Sequence, residues 1–218
     1  STRTIALEKP IQYGVANLKT TVKLKDANLN DNAKAKGGQV ADQNIAADTK
    51  LELTGVLVGG QPEYVGWDFM ATDSITSFDY TVYDNKIDAS VADLTTTQSN
   101  PNYTLVLDNN KAEQNDVVYV VLEFVNNTGV DFYGKDGMVP KGGKFYLVGK
   151  LDMASVSDTN KNRCDHIFVQ DRTTVANFTV KDLRDAYNTI PDLRSTSVSV
   201  GLAVNLEWQN GIVFDDIE

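Results

Sequence analysis

The only cysteine of the chain, Cys164, lies two residues before its only histidine, His166. A thiolate beside an imidazole is the nucleophile and base pair of many hydrolases, and both side chains also bind zinc. Two residues at this spacing on a strand share a face but lie roughly 7 Å apart, which is too far for the hydrogen bond that such a pair needs. One histidine and one cysteine also cannot assemble a zinc site with several ligands of these types. We therefore predict no catalytic residue and no metal ligand at this position.

A second group of side chains carries oxygen atoms that could bind a metal ion. Its members stand at nearly alternate positions and are Asp26, Asn28, Asn30 and Asp31. The pattern is similar to the start of a calcium-binding loop, because carboxylate and amide oxygens suit this hard cation. An EF-hand loop needs a glycine at its sixth position and a bidentate glutamate at its twelfth, where this chain has Asp31 and Gly37. We therefore interpret this group as part of a solvated polar loop.

The charge balance argues against one class of partner. The chain of 218 residues has 30 acidic and 20 basic side chains and a formal net charge of -10. That charge repels polyanions, and no cluster of lysine and arginine opposes it, so we expect no nucleic acid partner. Carboxylates are numerous, but their spacing favours no particular pair for glycosidase chemistry. The acidic residues alone therefore identify no active site.

Two features could bind small ligands. Gly142 and Gly143 lack the further glycine and the following helix of a phosphate-binding loop, so we predict a tight turn there. Tyr64 and Trp67 stand near a predicted turn and could stack on sugars, although aromatic side chains pack more often in a core. A carbohydrate-binding β-sandwich module is therefore the alternative function that the sequence leaves open.

Apolar and β-branched residues recur with the two-residue period of half-buried strands along most of the chain. Residues 117–122 instead form a continuous apolar run, which is typical of a central strand covered on both faces. Residues 25–50 are rich in Asp, Asn, Ala and Lys and predict a long loop, and residues 100–102 predict a turn. The predicted strands are 11–15, 20–24, 51–58, 64–69, 78–83, 103–107, 117–125, 144–151, 166–170 and 198–208.

One segment has the spacing of a short helix. Thr179 can cap its first turn, Asp182 adds a favourable negative charge near its start, and Pro191 ends it. The apolar residues of its predicted buried side are Val180, Leu183, Ala186, Tyr187 and Ile190. Many short strands with one brief helix predict an all-β fold of the β-sandwich type, and we assign residues 1–218 to a single domain.

The longest alternating pattern lies near the C-terminus. Its apolar members, which share one face of a predicted long strand, are Val198, Val200, Leu202, Val204, Leu206 and Trp208. Asn210 and Gly211 then give a strong hairpin signal, and residues 212–214 begin a second apolar arm. At roughly 3.4 Å per residue the first arm is about 37 Å long, against a usual strand of about five or six residues. A long strand near a terminus is a candidate for pairing with another chain.

Three blocks of sequence together resemble the fimbrillin family, the pilus subunits of Gram-negative gut and oral anaerobes. The first block, residues 131–151, reads DFYGKDGMVPKGGKFYLVGKL. The second block, residues 186–195, reads AYNTIPDLRS, and the third, residues 206–211, reads LEWQNG. The resemblance covers most of the chain from Leu51 onward and is weaker before that residue.

The resemblance implies a transthyretin-like Greek-key β-sandwich with one short helix and a structural role without catalysis or a cofactor. Family members typically have two such domains, are made as lipoproteins and are trimmed by a protease after export. This chain would then hold chiefly the C-terminal domain, with residues 1–50 matched only weakly. It would belong to a cell-surface fimbria attached to the outer membrane, with its own lipid anchor removed.

The same resemblance implies partners and contact residues. Fimbrial subunits polymerise by strand exchange, in which a terminal strand of one subunit fills a groove in the next. We therefore expect other fimbrial subunits as partners and a host protein or glycan as a receptor. The candidate contact residues lie on the two arms of the predicted C-terminal hairpin and are Val198, Val200, Leu202, Val204, Leu206, Trp208, Ile212 and Phe214.

Overall fold

The computed structural model describes residues 14–24, 50–61, 80–84, 89–91, 98–107, 117–156, 164–181, 183–193 and 197–211. Within these ranges, helical structure is limited to two one-turn 3-10 segments, Met153–Ser155 and Leu183–Asp185. The strands are β1 (Val15–Leu24), β2 (Lys50–Gly59), β3 (Tyr80–Asp84), β4 (Ala89–Val91), β5 (Gln98–Leu107), β6 (Val117–Asn127), β7 (Phe132–Tyr133), β8 (Met138–Val139), β9 (Lys144–Asp152), β10 (Arg172–Val180) and β11 (Leu202–Asn210). The predicted all-β class is confirmed.

Four strands form the first sheet, sheet A, in the order β11-β10-β1-β5. Strand β1 pairs in parallel with β10 and antiparallel with β5, while β11 pairs antiparallel with β10. The strand predictions for residues 11–15 and 20–24 correspond to one element, because β1 runs without a break from Val15 to Leu24. Ile11 and Tyr13 lie outside the described residues.

The second sheet, sheet B, has the order β3-β2-β6-β9, with β4 also pairing with β2. Strand β6 lies between β2 and β9 and is antiparallel to both. All five residues from 120 to 124 are buried. The continuous apolar run therefore correctly predicts a central strand covered on both faces.

Alternate residues of the two sheets point into one shared core, which includes Leu18, Val22, Ala176, Phe178 and Leu206 of sheet A and Val58, Val120, Leu122, Phe124 and Leu147 of sheet B. A methyl group at Gly149 of β9 would lie only 2.5 Å from Cε1 of Phe178 in β10. Glycine at position 149 thus permits the close approach of the two sheets at this point.

An aromatic cluster extends this core beneath the connection from β6 to β9. Phe145 stacks on Phe124 with ring centroids 5.3 Å apart, and Phe132 meets Phe145 edge to face at the same centroid distance. All three rings are fully buried. Burying a side chain of this size stabilises the fold by about 2–3 kcal/mol, so Phe132 ties the small β7–β8 hairpin to the main core.

The turn predicted at residues 100–102 is wrong, because β5 continues through it. Thr20 of β1 pairs with Asn102, whereas the next residue, Thr21, pairs with Ser99, so two residues of β5 bulge out of the ladder. One of the two is Pro101, which has no N–H to donate. A proline is accommodated here because β5 is at the edge of sheet A among the described strands and a bulge needs no ladder bond.

The helix predicted to begin at Thr179 is also wrong. Thr179 and Val180 end strand β10, and the helical structure in the described residues that follow is the single 3-10 turn Leu183–Asp185. The backbone of the next residues bonds elsewhere, since Ala186 accepts from the N–H of Lys135 and Tyr187 exchanges bonds with Tyr146. These apolar residues have helical spacing, but they lie in different structural elements and do not form one side of a helix.

The strand predicted at residues 166–170 is not present, and β10 was not predicted. Residues 165–168 form bends, and the consecutive residues Ile167 and Phe168 are both fully buried, which a half-buried strand does not allow. The carbonyl of Ile167 accepts from the hydroxyl of Thr174 at 2.6 Å instead of joining a ladder. Strand β10 begins only after Asp171, whose φ of 59° turns the chain.

Candidate strand-pairing edge

The strand that carries the candidate contact residues is β11, and it begins at Leu202, four residues after the predicted start. Val198 precedes the strand and packs against a second apolar cluster on the other face of sheet B. Val200 is half-buried in the same connecting segment. The remaining predicted members, Leu202, Val204, Leu206 and Trp208, do lie on one strand, while Ile212 and Phe214 lie outside the described residues.

The side chains on the apolar face of β11 belong to the core of their own chain. Leu202, Leu206 and Trp208 are buried, and half-buried Val204 packs against the same core. Trp208 also donates its indole N–H to the carbonyl of Ile167 at 3.0 Å. These side chains are thus occupied, so a neighbouring chain could reach these four residues only through their backbone.

The direction of the β11 backbone groups follows from the register. In an antiparallel pair, opposite residues alternate between pairs that exchange both bonds and pairs whose N–H and C=O groups point away. Lys181 donates its N–H to Gly201 at 3.2 Å, and the pairing of β10 with β11 continues from there without a shift. Gly201 bonds to the β10 side, and so does every second residue after it. The N–H and C=O groups of the residues between them, among them Val204, Leu206 and Trp208, therefore point away from β10. The residues with buried side chains are therefore those that present backbone to the outer edge.

Strand β11 is the last strand of sheet A in the described part of the chain. Among the described residues, Val156 meets this outer edge in an isolated parallel bridge with Leu206. Val156 follows the 3-10 turn Met153–Ser155, which leaves β9 after Asp152. The hydroxyl of Ser155 donates to the Asp152 carboxylate at 2.9 Å. This short segment thus carries the chain from the edge of sheet B to the edge of sheet A.

The neighbouring edge, that of β9 in sheet B, is also met by an isolated bridge. Tyr146 and Tyr187 exchange backbone hydrogen bonds of 2.8 and 2.9 Å across it. The segment after Tyr187 then places Leu193 against the outer face of sheet B, in a cluster with Val148 of β9. The phenolic oxygen of Tyr187 accepts from the N–H of Ser199 at 2.8 Å. Hydrogen bonds and apolar burial therefore both hold this segment over the β9 edge.

The first and second blocks of the family resemblance contact each other directly. The Asp136 carboxylate accepts from the N–H of Asn188 at 2.7 Å and from the hydroxyl of Thr189 at 3.3 Å. A methyl group at Gly134 would lie only 2.1 Å from the carbonyl oxygen of Ala186, so a side chain at position 134 would separate the two segments. The blocks are thus adjacent in space although they are separate in sequence.

Asn126 organises the connection from β6 to β9. Its buried side-chain amide donates to the carbonyls of Val130, Val139 and Pro140, at distances of 2.9, 3.4 and 3.1 Å. Its oxygen accepts from the hydroxyl of Thr128 at 2.6 Å. Asn126 also starts an Asn-X-Thr triplet, but a fully buried amide with these bonds is not accessible to glycosylation in the folded chain. Its role here is structural.

Gly142 and Gly143 form the predicted tight turn in the same connection. Gly143 donates its N–H to Pro140 at 2.9 Å, and Gly142 has a φ of 73°, which favours glycine. The N–H of Gly142 bonds the carbonyl of Asn126 at 2.9 Å. The turn is therefore a part of the fold's hydrogen-bonding network.

Glu123 is a buried carboxylate on the outer face of sheet B. One of its oxygens accepts from the hydroxyl of Thr54 and from the ammonium of Lys144, both at 2.8 Å, and the other accepts from the Tyr146 hydroxyl at 3.0 Å. Burial is the largest single influence and acts to raise the pKa of Glu123. The hydrogen bonds and the charge of Lys144 together outweigh it and hold the pKa below its usual value. An ionised carboxylate with this many donors is suited to stabilising a sheet.

Cys164 and His166 lie in the irregular segment before β10. Both are half-buried. Burial raises the pKa of the Cys164 thiol, which Asp165 also raises and Arg172 lowers, so the reactive thiolate is disfavoured. Within the described residues, no group of three or more His, Cys, Asp or Glu side chains is arranged to hold a metal ion.

Several predicted features lie outside the described residues. These are the polar group at 26–31, the sugar-stacking candidates Tyr64 and Trp67, and the second hairpin arm at 212–214. The described part of the hairpin ends at Gly211, whose φ of 76° fits the predicted turn.

No protein-family model matches the chain. No curated protein matches it either. A crystal structure described as a "putative cell adhesion protein" from Parabacteroides distasonis matches at 11% sequence identity with a TM-score of 0.42. The match covers 94% of this chain and 54% of that one, so this chain spans about half the length of the matched protein. The likeness to the fimbrillin family stays a hypothesis.

In the described part of the chain, no helical segment has the length and apolar character needed to cross a membrane.

Proposed function

We propose that the chain is a structural subunit of a cell-surface fimbria, joined to other subunits by β-strand pairing, and that it contributes to cell adhesion. The observation that carries the proposal is the position of β11 at the edge of sheet A, as the last of its described strands. The backbone groups of Val204, Leu206 and Trp208 face that edge, and strand addition uses such groups for affinity. The three family-like sequence blocks supply the fimbrial context of the proposal.

The proposed role is structural and not enzymatic. Glu123 is ionised and holds Thr54, Lys144 and Tyr146 in one network, which supports a role in sheet stability. The thiol of Cys164 has a raised pKa, which works against nucleophilic chemistry. Both observations are consistent with a protein whose chemistry is hydrogen bonding between strands.

The partners and the location follow from the family resemblance. We propose other fimbrial subunits as the partners along the polymer and a host protein or glycan as the receptor. The fimbria would be attached to the outer membrane. None of these partners is nucleic acid, in keeping with the net charge of -10.

Replacement of a single backbone donor tests the proposal. In Val204→Pro the missing N–H is one that faces away from β10, so the β10–β11 ladder keeps its bonds while the outer edge loses a donor. Val204→Ala is the matched control, because it removes similar packing but keeps the N–H. We expect SDS-resistant ladders from the unsubstituted protein and from Val204→Ala, and none from Val204→Pro. Ladders from a folded Val204→Pro protein would overturn the use of this edge.

A further inference from the structure

Two pairs of asparagine and threonine join β1 to β10 on the face of sheet A that points away from the shared core. In the parallel register of these strands Asn17 lies beside Thr173, and Thr21 lies beside Asn177. Thr21 donates its hydroxyl to Oδ1 of Asn177 at 2.6 Å. The two pairs have the same side chains on exchanged strands, so the second pair shows the bond that such a pair can form at this spacing.

The first pair is bonded differently. Thr173 donates its hydroxyl to the carbonyl of Gly211 at 2.9 Å, in the turn that follows β11. Oδ1 of Asn17 is buried and, among the described residues, has no hydrogen-bond partner. The two side chains are only 1% and 3% exposed, so bulk water does not solvate them. A buried oxygen without a donor destabilises a fold, and this position therefore favours a ligand that can donate a hydrogen bond.

We propose that one ordered water molecule bridges Oδ1 of Asn17 and Oγ1 of Thr173. Both oxygens accept here, because the hydroxyl proton of Thr173 is committed to Gly211. The ligand must therefore donate two hydrogen bonds, which a water molecule can do and a carboxylate cannot. Water is also favoured over a cation, since both oxygens are uncharged and the burial of a charge is far more costly than the burial of a neutral molecule.

The spacing of the two strands suits a single water molecule. Neighbouring strands lie about 4.8 Å apart, and the side chains of paired residues stand over that gap. A water molecule that donates two bonds of about 2.8 Å at its tetrahedral angle joins acceptors roughly 4.6 Å apart. Buried waters commonly satisfy polar groups in this way. The bridge links Asn17 through Thr173 to Gly211, and so connects β1, β10 and the turn after β11.

A high-resolution crystal structure tests the site directly. We expect density for a water molecule within about 3.2 Å of both Oδ1 of Asn17 and Oγ1 of Thr173. A structure without that water would overturn the proposal. A direct bond from the Asn17 amide nitrogen to Oγ1 of Thr173 would overturn it as well, and so would a metal ion at this position.

Unfolding measurements give a second test. Asn17→Ala and Thr173→Val are made singly and together, and urea denaturation of the four proteins gives the coupling between the two positions. The bond from Thr173 to Gly211 is lost in both backgrounds, so its loss does not contribute to the coupling. We expect a coupling of about fivefold in the unfolding equilibrium constant. Additive effects would overturn the bridge.

Two further cycles serve as controls. Thr21→Val with Asn177→Ala breaks a direct bond and should show coupling. Asn17→Ala with Thr179→Val should be additive, because Thr179 lies on the same face of β10 but six residues further along, beside Lys23. Coupling as large in this distant pair as in the proposed site would overturn the bridge. None of these measurements uses subunit assembly, so their outcome is independent of the proposed function.

Discussion

The backbones of Tyr146 and Tyr187 exchange two hydrogen bonds, and through them the second family-like block closes the outer edge of β9. The side chain of Tyr187 takes part in the same closure, because its oxygen accepts from the N–H of Ser199. Tyr187 therefore anchors one end of the segment that crosses sheet B through its backbone, and its side chain holds the other end at Ser199. The strength of this closure can be measured by removing the hydroxyl alone.

Tyr187→Phe should lower the free energy of unfolding by about 1 kcal/mol, because the N–H of Ser199 loses its acceptor while the ring stays in place. Urea denaturation of the purified protein measures the change. Tyr133→Phe in β7 is a control with the same chemical alteration on a half-buried tyrosine. A loss that is equal in the two variants would contradict a specific role for the Tyr187 hydroxyl.

Asn126→Ala should destabilise the chain by about 3 kcal/mol, because three backbone carbonyls lose their buried donor at once. The adjacent residue offers a matched control. The amide of Asn127 donates to Glu52 at an exposed site, so Asn127→Ala should change stability by less than about 0.5 kcal/mol. Both changes can be measured by thermal unfolding, and similar losses would contradict the anchoring role of Asn126.

Glu123 makes the stability of the fold depend on pH. Its folded-state pKa lies below the unfolded value of about 4.3, so its contribution is complete above that pH and disappears as the pH falls through the folded-state pKa. Glu123→Gln should therefore be less stable than the parent protein at pH 7, and the difference should shrink in acid. Urea denaturation at several acidic pH values measures both curves, and a difference that does not shrink before the parent protein unfolds in acid would contradict the assignment.

Removal of residues 212–218 tests the second arm of the predicted hairpin, which follows the turn at Gly211. If that arm contributes a strand to the subunit contact, its deletion should abolish SDS-resistant ladders in the native host. Circular dichroism of the purified variant should retain the β-sheet signal, since β11 ends before the deletion. Unchanged ladders would exclude this arm from the contact.

For a physical reason, the sequence predicts the bounds of β6 in sheet B better than those of β11 in sheet A. The apolar run of β6 is continuous because the strand is covered on both faces, and no helical spacing competes with that pattern. In β11 the alternation of Leu202, Val204, Leu206 and Trp208 likewise matches the buried face. The pattern could not reveal where the strand begins, because Val198 satisfies the same alternation while it packs on a different surface.

Strand β10 and the segment after it were mispredicted because tertiary contacts decide their structure. Val180, Leu183 and Ala186 are all buried, and their spacing imitates one side of a helix. The three residues belong to a strand end, a 3-10 turn and a crossing segment, respectively. The bonds that fix the crossing segment reach Lys135 and Tyr146, which are distant in sequence. A local pattern cannot contain that information.

The parallel pairing of β1 with β10 sets an order of folding. All described strands of sheet B lie between residues 50 and 152, whereas Thr21 of β1 finds its partner Asn177 only 156 residues later. The N-terminus leaves the ribosome first, so one edge of β1 can pair with β5 early, while its other edge must wait for β10. Pairings between such distant segments form slowly, because the intervening chain must first be closed into a loop. Completion of sheet A is thus the last step, and the edge of β1 that faces β10 stays without its partner strand until then.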